Sequence, residues 1–187
     1  MTQTLAPRKE LLHPPISAFA QNDIIPEERT RPRIEAGSTY PQKLLFEIRD
    51  KRFRITFSGD EPNWLYDSLG KLRNLALLPE NWDSNNGLPT STNAIYKALE
   101  FMSRHLPFNA VAPSIVPVSD GGLELEWHPL SGDLEICFDR EGKLSAAFGS
   151  SASGEEWEMD WPDYDTAKLK AAIEMTAATD LVQSARP

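Results

Sequence analysis

Acidic side chains recur at alternate positions in the second half of this 187-residue sequence, and they are the residues best placed to carry chemistry. In "LELEW" and "DLEICFD" they alternate with apolar residues, which is the period of a strand with one buried and one outward face. A later segment, "EEWEMDW", adds more acids if its tryptophans and methionine point inward. The predicted outward face gathers Glu124, Glu126, Glu135, Asp139, Glu156, Glu158 and Asp160.

Such a concentration of carboxylates calls for compensating charge, because like charges opposite each other destabilise a sheet. Arg52 and Arg54 would supply it internally if an N-terminal hairpin joins the sheet. A divalent cation such as Mg²⁺ or Ca²⁺ would supply it through oxygen ligands, and a basic protein partner would supply it by binding. The leading interpretation is a solvated acidic face with some internal pairing, followed by a partner surface and then a metal site.

A hydrolase would use two of these carboxylates as general acid and base, assisted by His128 or His105. Acids on a flat exposed strand are not desolvated, however, so nothing moves a pKa toward neutrality. The sequence also contains no GxSxG, HExxH, P-loop or dinucleotide fingerprint. An enzyme is therefore the less favoured alternative, in the form of a metal-dependent hydrolase.

The remaining reactive side chains have structural explanations. His105 stands at the end of a predicted helix, where a cation favours the helix dipole, and His128 precedes Pro129 in a predicted turn. Cys137 has no basic neighbour in sequence to lower its pKa, so we expect an inert filler of the sheet. As the single cysteine, it also rules out an intramolecular disulfide.

A second candidate is the stretch "LPENWDSNNGLP", residues 78–89, as a ligand loop. Its candidate residues are Trp82, Asp83, Asn85 and Asn86. The stretch superficially resembles a calcium loop, but counting from Asp83 the twelfth position is Ala94 where an EF-hand requires glutamate. A turn is the stronger interpretation: Asn and Asp bond their own backbone, Asn86-Gly87 supplies positive φ, and Trp82 anchors the loop in the core.

The elements that must position these residues begin with a hairpin and two helices. "KLLFEIRDKRFRITFS" alternates as a hairpin does, from about 43 to 58. Asp60 is a plausible cap for a first helix, which has Pro62 in its first turn and stops at Pro79. A second helix runs from the cap candidates Thr90, Ser91 and Thr92 to about Pro107.

In the second half of the domain, apolar and polar residues alternate with a period of two, as in strands. "PSIVPV" can be a strand only at an edge or at its ends, because its prolines have no N–H to donate. Four or so antiparallel strands then follow through "EEWEMDW", and an aspartate-rich start precedes a closing helix. The prediction is an α+β two-layer sandwich: an antiparallel sheet made of the N-terminal hairpin and a four-strand meander, with about three helices on one face.

Composition sets the domain boundaries and the excluded functions. Residues 1–42 hold six of the 15 prolines and five residues of each charge sign, so we expect a mobile proline-rich arm. The predicted α+β domain is 43–180, with a frayed tail at 181–187. The net charge of −9 lies wholly after the arm and disfavours binding to nucleic acid or anionic membranes. With no signal-like apolar run, a reduced cytosolic location is expected.

Two segments resemble small bacterial and phage-borne proteins. Those proteins share an "L-P-x-N-W-D-x-x-G" loop, a following "P-x-x-x-x-A" helix start and a later "P-x-x-D-G-x-x-x-x-E-W" segment. The matching residues here are Leu78, Pro79, Asn81, Trp82, Asp83, Gly87, Pro89, Ala94, Pro117, Asp120, Gly121, Glu126 and Trp127. This loop is longer before its glycine than is usual in that family, and Gly122 is an extra residue after Asp120-Gly121. The resemblance covers about 70–140 and implies domain boundaries more than an activity. Because such small proteins are often carried by mobile elements, it also favours an antitoxin-like or immunity-like role.

These observations predict a non-enzymatic cytosolic interaction protein that binds a basic protein partner, with an antitoxin or immunity-type inhibitor as its concrete form. The acidic sheet would steer association, and the arm would order on the partner. No cofactor is expected. A structural subunit of a larger assembly is a further alternative.

Overall fold

The computed structural model describes residues 41–48, 51–58, 60–160, 162 and 165–177. The predicted tail and almost all of the predicted arm lie outside these residues. In chain order the elements are β1 (Pro41–Ile48), β2 (Lys51–Ser58), α1 (Leu65–Ala76), α2 (Thr92–His105), β3 (Ser114–Pro117), β4 (Leu123–Trp127), β5 (Gly132–Phe138), β6 (Leu144–Ser150), β7 (Glu156–Asp160) and α3 (Thr166–Thr176).

The described elements form an α+β arrangement of helices packed on antiparallel sheet, as predicted. Strands β3 to β7 pair in chain order as a five-stranded meander, and β1 pairs with β2 as a separate two-stranded sheet. Residues at alternate positions of β4 and β5 are buried, and those between them are half-buried or exposed. The period-two pattern in the sequence therefore separates an inner from an outer sheet face.

The hairpin does not join the meander, which corrects the prediction that it would. Its inward side chains enter the common core instead, and the Phe53 ring lies 6.3 Å from the Tyr96 ring of α2. A two-stranded hairpin needs packing against another element to be stable in water. Here helix packing meets that need, so Arg52 and Arg54 do not neutralise the meander.

The meander has five strands because "PSIVPV" supplies β3. Ile115 lies opposite Leu125, and Pro117 lies opposite Leu123 at the end of the ladder. As the outermost strand of the five, β3 accommodates Pro117, which has no N–H to donate. The prediction that the prolines allow a strand only at an edge or at its ends is confirmed.

The helix starts divide into two that have side-chain caps and one that does not. Ser91 Oγ accepts a hydrogen bond from Ala94 N at the start of α2, and Asp165 accepts from Ala167 N and Lys168 N at the start of α3. The Asp60 cap predicted for α1 is wrong: the residue before the helix is Trp64, whose side chain makes no capping bond. A turn in which Leu65 N donates to Pro62 O precedes that helix.

One apolar core joins the inner sheet face to the helices. Leu125 and Ile136 are fully buried opposite each other on β4 and β5. The helices contribute their own buried stripes to this cluster, with Leu72 on α1, Ile95 and Met102 on α2, and Leu169 and Ile173 on α3. Each such side chain contributes roughly 1.5 to 3 kcal/mol by leaving water. This burial fixes the strand register and so decides which residues face outward.

Candidate functional site

The outer face of the meander brings together the strand acids predicted from alternation. Glu124 lies opposite Cys137, and Glu126 lies directly opposite Glu135. On the far strand, Glu158 is opposite Ala147 and Glu156 is opposite Gly149. Because side chains alternate between faces, these four glutamates and Glu135 share one surface with Asp160, which we call the acidic face.

Exposure divides the acidic face into a central and an outer part. Glu124, Glu126 and Glu135 are half-buried, whereas the three acids of β7 are exposed. The described strands β3 to β7 contain no lysine or arginine. On these strands the face thus carries carboxylates and no basic side chain, and its outermost acids, those of β7, are exposed.

Asp139 follows β5 and serves the turn into β6. Its Oδ1 accepts a hydrogen bond from Lys143 N at 2.8 Å, and its own N donates to Lys143 O at 3.0 Å. This carboxylate is thus engaged locally, unlike the exposed acids of β7. Its assignment to a partner-binding surface remains a prediction.

His128 adds a titratable group to one end of the acidic face. Its Nδ1 lies 2.9 Å from Asp133 Oδ1, and its Nε2 lies 3.5 Å from Glu126 Oε2. The hydrogen bond with Asp133 raises the pKa of His128, an effect that partial burial opposes and that Glu126 reinforces. Sequence reasoning favoured a turn role for His128 over assistance to a hydrolase, and it did not predict the pairing with Asp133. The missed signal is that His128 continues the alternation of Glu124 and Glu126, and Asp133 follows across a short turn.

Cys137 and His105 do not form reactive sites. Burial raises the pKa of the Cys137 thiol to about 11, and Glu124, Asp120 and Asp139 reinforce the shift, so the reactive thiolate is suppressed. The His105 ring packs against Phe101, with centroids 4.8 Å apart and the ring planes tilted by 32°. Burial and the nearby Arg104 lower the pKa of His105. The lowered pKa weakens the interaction expected between a charged His105 and the helix dipole.

The "LPENWDSNNGLP" stretch is a tightly bonded turn built around Asp83. One carboxylate oxygen of Asp83, Oδ1, accepts hydrogen bonds from Asn85 N and Gly87 N, each at 2.8 Å. The other, Oδ2, accepts from Ser119 Oγ at 2.7 Å. The hydrogen bond from Ser119 comes first among the effects that lower the pKa of Asp83, and the backbone donors add to it. Asp83 therefore organises the loop as a carboxylate.

Neighbouring residues complete this turn. Asn81 Oδ1 accepts from Asn86 N at 2.8 Å, while Asn81, Ser84 and Asn86 adopt positive φ. Asn85 Nδ2 donates to Asp83 O at 3.1 Å. Trp82 is half-buried, with its Nε1 donating to Leu88 O at 3.1 Å. The expectation that Trp82 anchors the loop in the core is wrong, because the indole closes the loop at the surface.

The loop is joined to the turn between β3 and β4. Ser119 O accepts from Leu88 N at 2.9 Å, and Gly121 O accepts from Ser91 N at 2.7 Å. Ser91 Oγ also donates to Arg140 O at 2.7 Å. The 78–89 loop and the turn between β3 and β4 thus contact each other, and together they fix the start of α2. These hydrogen bonds account for the polar residues of the loop as structural elements of a turn.

No group of three or more His, Cys, Asp or Glu side chains in the described part of the chain is arranged to hold a metal ion. Among those same residues, no helix has the length and apolar character needed to cross a membrane. Comparison of the chain with protein-family models, curated proteins and solved structures found no match.

Proposed function

We propose that the protein is a non-enzymatic interaction module that binds a basic protein partner through the acidic face. The observation that carries this proposal is the charge of that face: five glutamates and Asp160 lie on strands that contain no lysine or arginine. Carboxylates arranged in this way attract a basic surface over a distance and accelerate encounter. The exposed β7 acids would make the first contacts.

An antitoxin or immunity-type inhibitor is the concrete form of this proposal. The resemblance of residues 70–140 to small bacterial and phage-borne proteins supports it, as does the acidic composition, with a sequence pI of about 4.9. An inhibitor of a nucleic-acid-directed toxin gains from such charge, since the target's own binding surface must be basic. A cytosolic location belongs to the same proposal.

Charge reversal on β7 tests the proposal. The Glu156→Lys/Glu158→Lys double variant should lose a partner that the wild-type protein captures from cells of its own source, because both side chains are exposed on the outermost strand of the acidic face. The matched control is Glu80→Lys/Glu141→Lys, which makes the same change in net charge at exposed sites on other loops. With the captured partner purified, the association rate should fall steeply as salt rises. Equal capture by both double variants would refute the proposal.

A further inference from the structure

The hairpin and helix α2 form a groove whose charge is opposite to that of the whole protein. It is an open groove of about 690 Å³ that runs between β2 and the exposed side of α2. Arg52, Arg54 and Arg104 line it together with Lys51, and Glu100 is its one carboxylate. Glu100 already lies within 2.8 Å of both Arg104 Nη2 and Lys97 Nζ. The groove is therefore basic in a protein whose net charge is −9.

Within the described residues, Arg52 and Arg54 make no ion pair. Both side chains are exposed and alternate with the buried Phe53 and Ile55. Two guanidinium groups thus lie on one side of β2, where each can donate a pair of N–H groups to the two oxygens of a carboxylate.

Strand β2 also has an edge that no described strand occupies. It pairs with β1 on one side only, in a sheet of two strands. An unpaired edge presents backbone N–H and C=O groups that an extended segment can complete as an added strand. Eight residues, Lys51–Ser58, give this edge enough length for a short peptide.

Apolar contacts are available beside the charges. The Tyr96 side chain is 50% exposed, and its ring lies 6.3 Å from that of Phe53. An added strand that alternates acidic and apolar residues would place its acids near Arg52 and Arg54 and its apolar side chains toward the exposed ring of Tyr96. The N-terminal turn of α2 also borders the groove through Thr92 and Asn93, and its dipole favours an anion.

Edge protection alone would also place charged residues on a lone strand, since like charges keep two copies of the same edge apart. That explanation accounts for Arg52 and Arg54 but not for the adjoining groove with its exposed tyrosine. From charge complementarity and the open edge, we infer that this groove binds an extended acidic segment of a partner protein, which adds to β2 as a third strand. This site is separate from the acidic face and does not depend on its role.

A peptide-binding experiment on the full chain tests the inference. The probe is a fluorescein-labelled peptide of eight residues in which glutamate alternates with valine, and the control peptide has lysine in place of glutamate. Fluorescence anisotropy should rise with the acidic peptide only. The Arg52→Glu/Arg54→Glu variant should bind about tenfold more weakly, because two attractive contacts become repulsive. Arg73→Glu is the control, since Arg73 is exposed on α1 and does not line the groove.

Backbone pairing is tested with two further peptides, N-methylated at the odd or at the even positions. One of them should lose binding, because alternate N–H groups of an added strand face β2. Circular dichroism and thermal melting of each variant check that the fold is retained, and Arg52→Gln/Arg54→Gln provides a milder change. Equal affinity of the wild-type and double variants, or full binding by both N-methylated peptides, would overturn the inference. So would concentration-dependent self-association that the acidic peptide fails to displace, since a second copy would then occupy the edge.

Discussion

At the scale of single residues, Asp83 is the clearest case of a side chain that organises structure. We expect Asp83→Ala to lower the melting temperature by roughly 3 to 10 °C, because three hydrogen bonds are lost and two loop N–H groups lose their acceptor. Thermal denaturation measures this effect. Ser119→Ala removes one of the three hydrogen bonds, so its melting temperature should lie between those of Asp83→Ala and the wild-type protein. Unchanged stability combined with lost partner binding would favour the ligand-loop hypothesis instead.

Gly87 is the second residue that this loop depends on, because it leaves space for the Asp83 carboxylate. A Cβ at this position would lie 2.8 Å from Asp83 Cγ, closer than a carbon can approach. Gly87→Ala should therefore push the carboxylate out of place and destabilise the domain about as much as removing Asp83. In the Asp83→Ala background the glycine substitution should cost much less, because its clash partner is gone, so a double-mutant cycle measures the coupling. Additive effects would show that Gly87 acts independently of Asp83.

His128 gives the domain a pH dependence whose sign can be stated. Its folded-state pKa is raised by Asp133 and Glu126, so the charged imidazole stabilises the folded state. This contribution is fully present below the unfolded pKa, near 6.5, and is lost as the pH rises through the folded pKa. We expect His128→Gln to lower the melting temperature by about 1 to 3 °C at pH 6 and by less at pH 9.

The imidazole proton resonances of His128 report the same shift directly. Their titration midpoint should lie above that of a model histidine and should move down in Asp133→Asn. A midpoint below the usual value would contradict the assignment. Because the His128 side chain is 50% exposed, added salt should reduce the shift.

At the scale of secondary-structure elements, the start of α2 connects a cap to the rest of the fold. Ser91 Oγ accepts from Ala94 N at 3.0 Å and donates to Arg140 O at 2.7 Å. Ser91→Ala should cost about 1 to 2 kcal/mol, the loss of an N-cap together with a tertiary hydrogen bond. Urea denaturation measures it, with Thr92→Ala as the neighbouring control. A cost no greater than that of the control would show that the cap is dispensable.

The elements also show where sequence patterns are sufficient. Alternation located β4 and β5, and spacing located α1 and α2, because burial imposes those periods on any chain. Ser91 was one of three predicted cap candidates, and Asp165 lies in the aspartate-rich start predicted for the closing helix, since cap chemistry is local. The Asp60 cap prediction failed because burial in the core prevailed over local cap chemistry: α1 begins where Trp64 and Leu65 are buried.

Other features depended on contacts between distant segments. Whether the hairpin joins the meander is decided by its packing on α2, which no local pattern encodes. The hydrogen bond from Ser119 to Asp83 joins residues 36 positions apart, so the structural role of the loop could not be predicted from its own residues. Alternation correctly placed the glutamates on strands, whereas the pairing of His128 with Asp133 required the register of the turn between them.

At the scale of the whole molecule, charge is distributed unevenly. The acidic face opposes Glu126 to Glu135 across two strands, while the basic groove lies beside the separate hairpin. Like charges held on one face reduce the stability of the folded state, and mobile ions screen them within about 10 Å at 0.1 M salt. Repulsion among the exposed carboxylates of β7 should therefore make stability dependent on salt, in the direction opposite to that of a domain stabilised by surface ion pairs.

We accordingly expect the melting temperature to rise by a few degrees between 10 and 300 mM NaCl, values chosen to cross that screening range. Glu156→Gln/Glu158→Gln should raise the melting temperature at low salt and reduce the rise, since two of the clustered charges are removed from exposed positions. The control is Glu80→Gln/Glu141→Gln, with the same change in net charge elsewhere on the surface. Identical salt responses of the two double variants would assign the effect to net charge alone, whereas a smaller rise for the β7 variant would locate it on the acidic face.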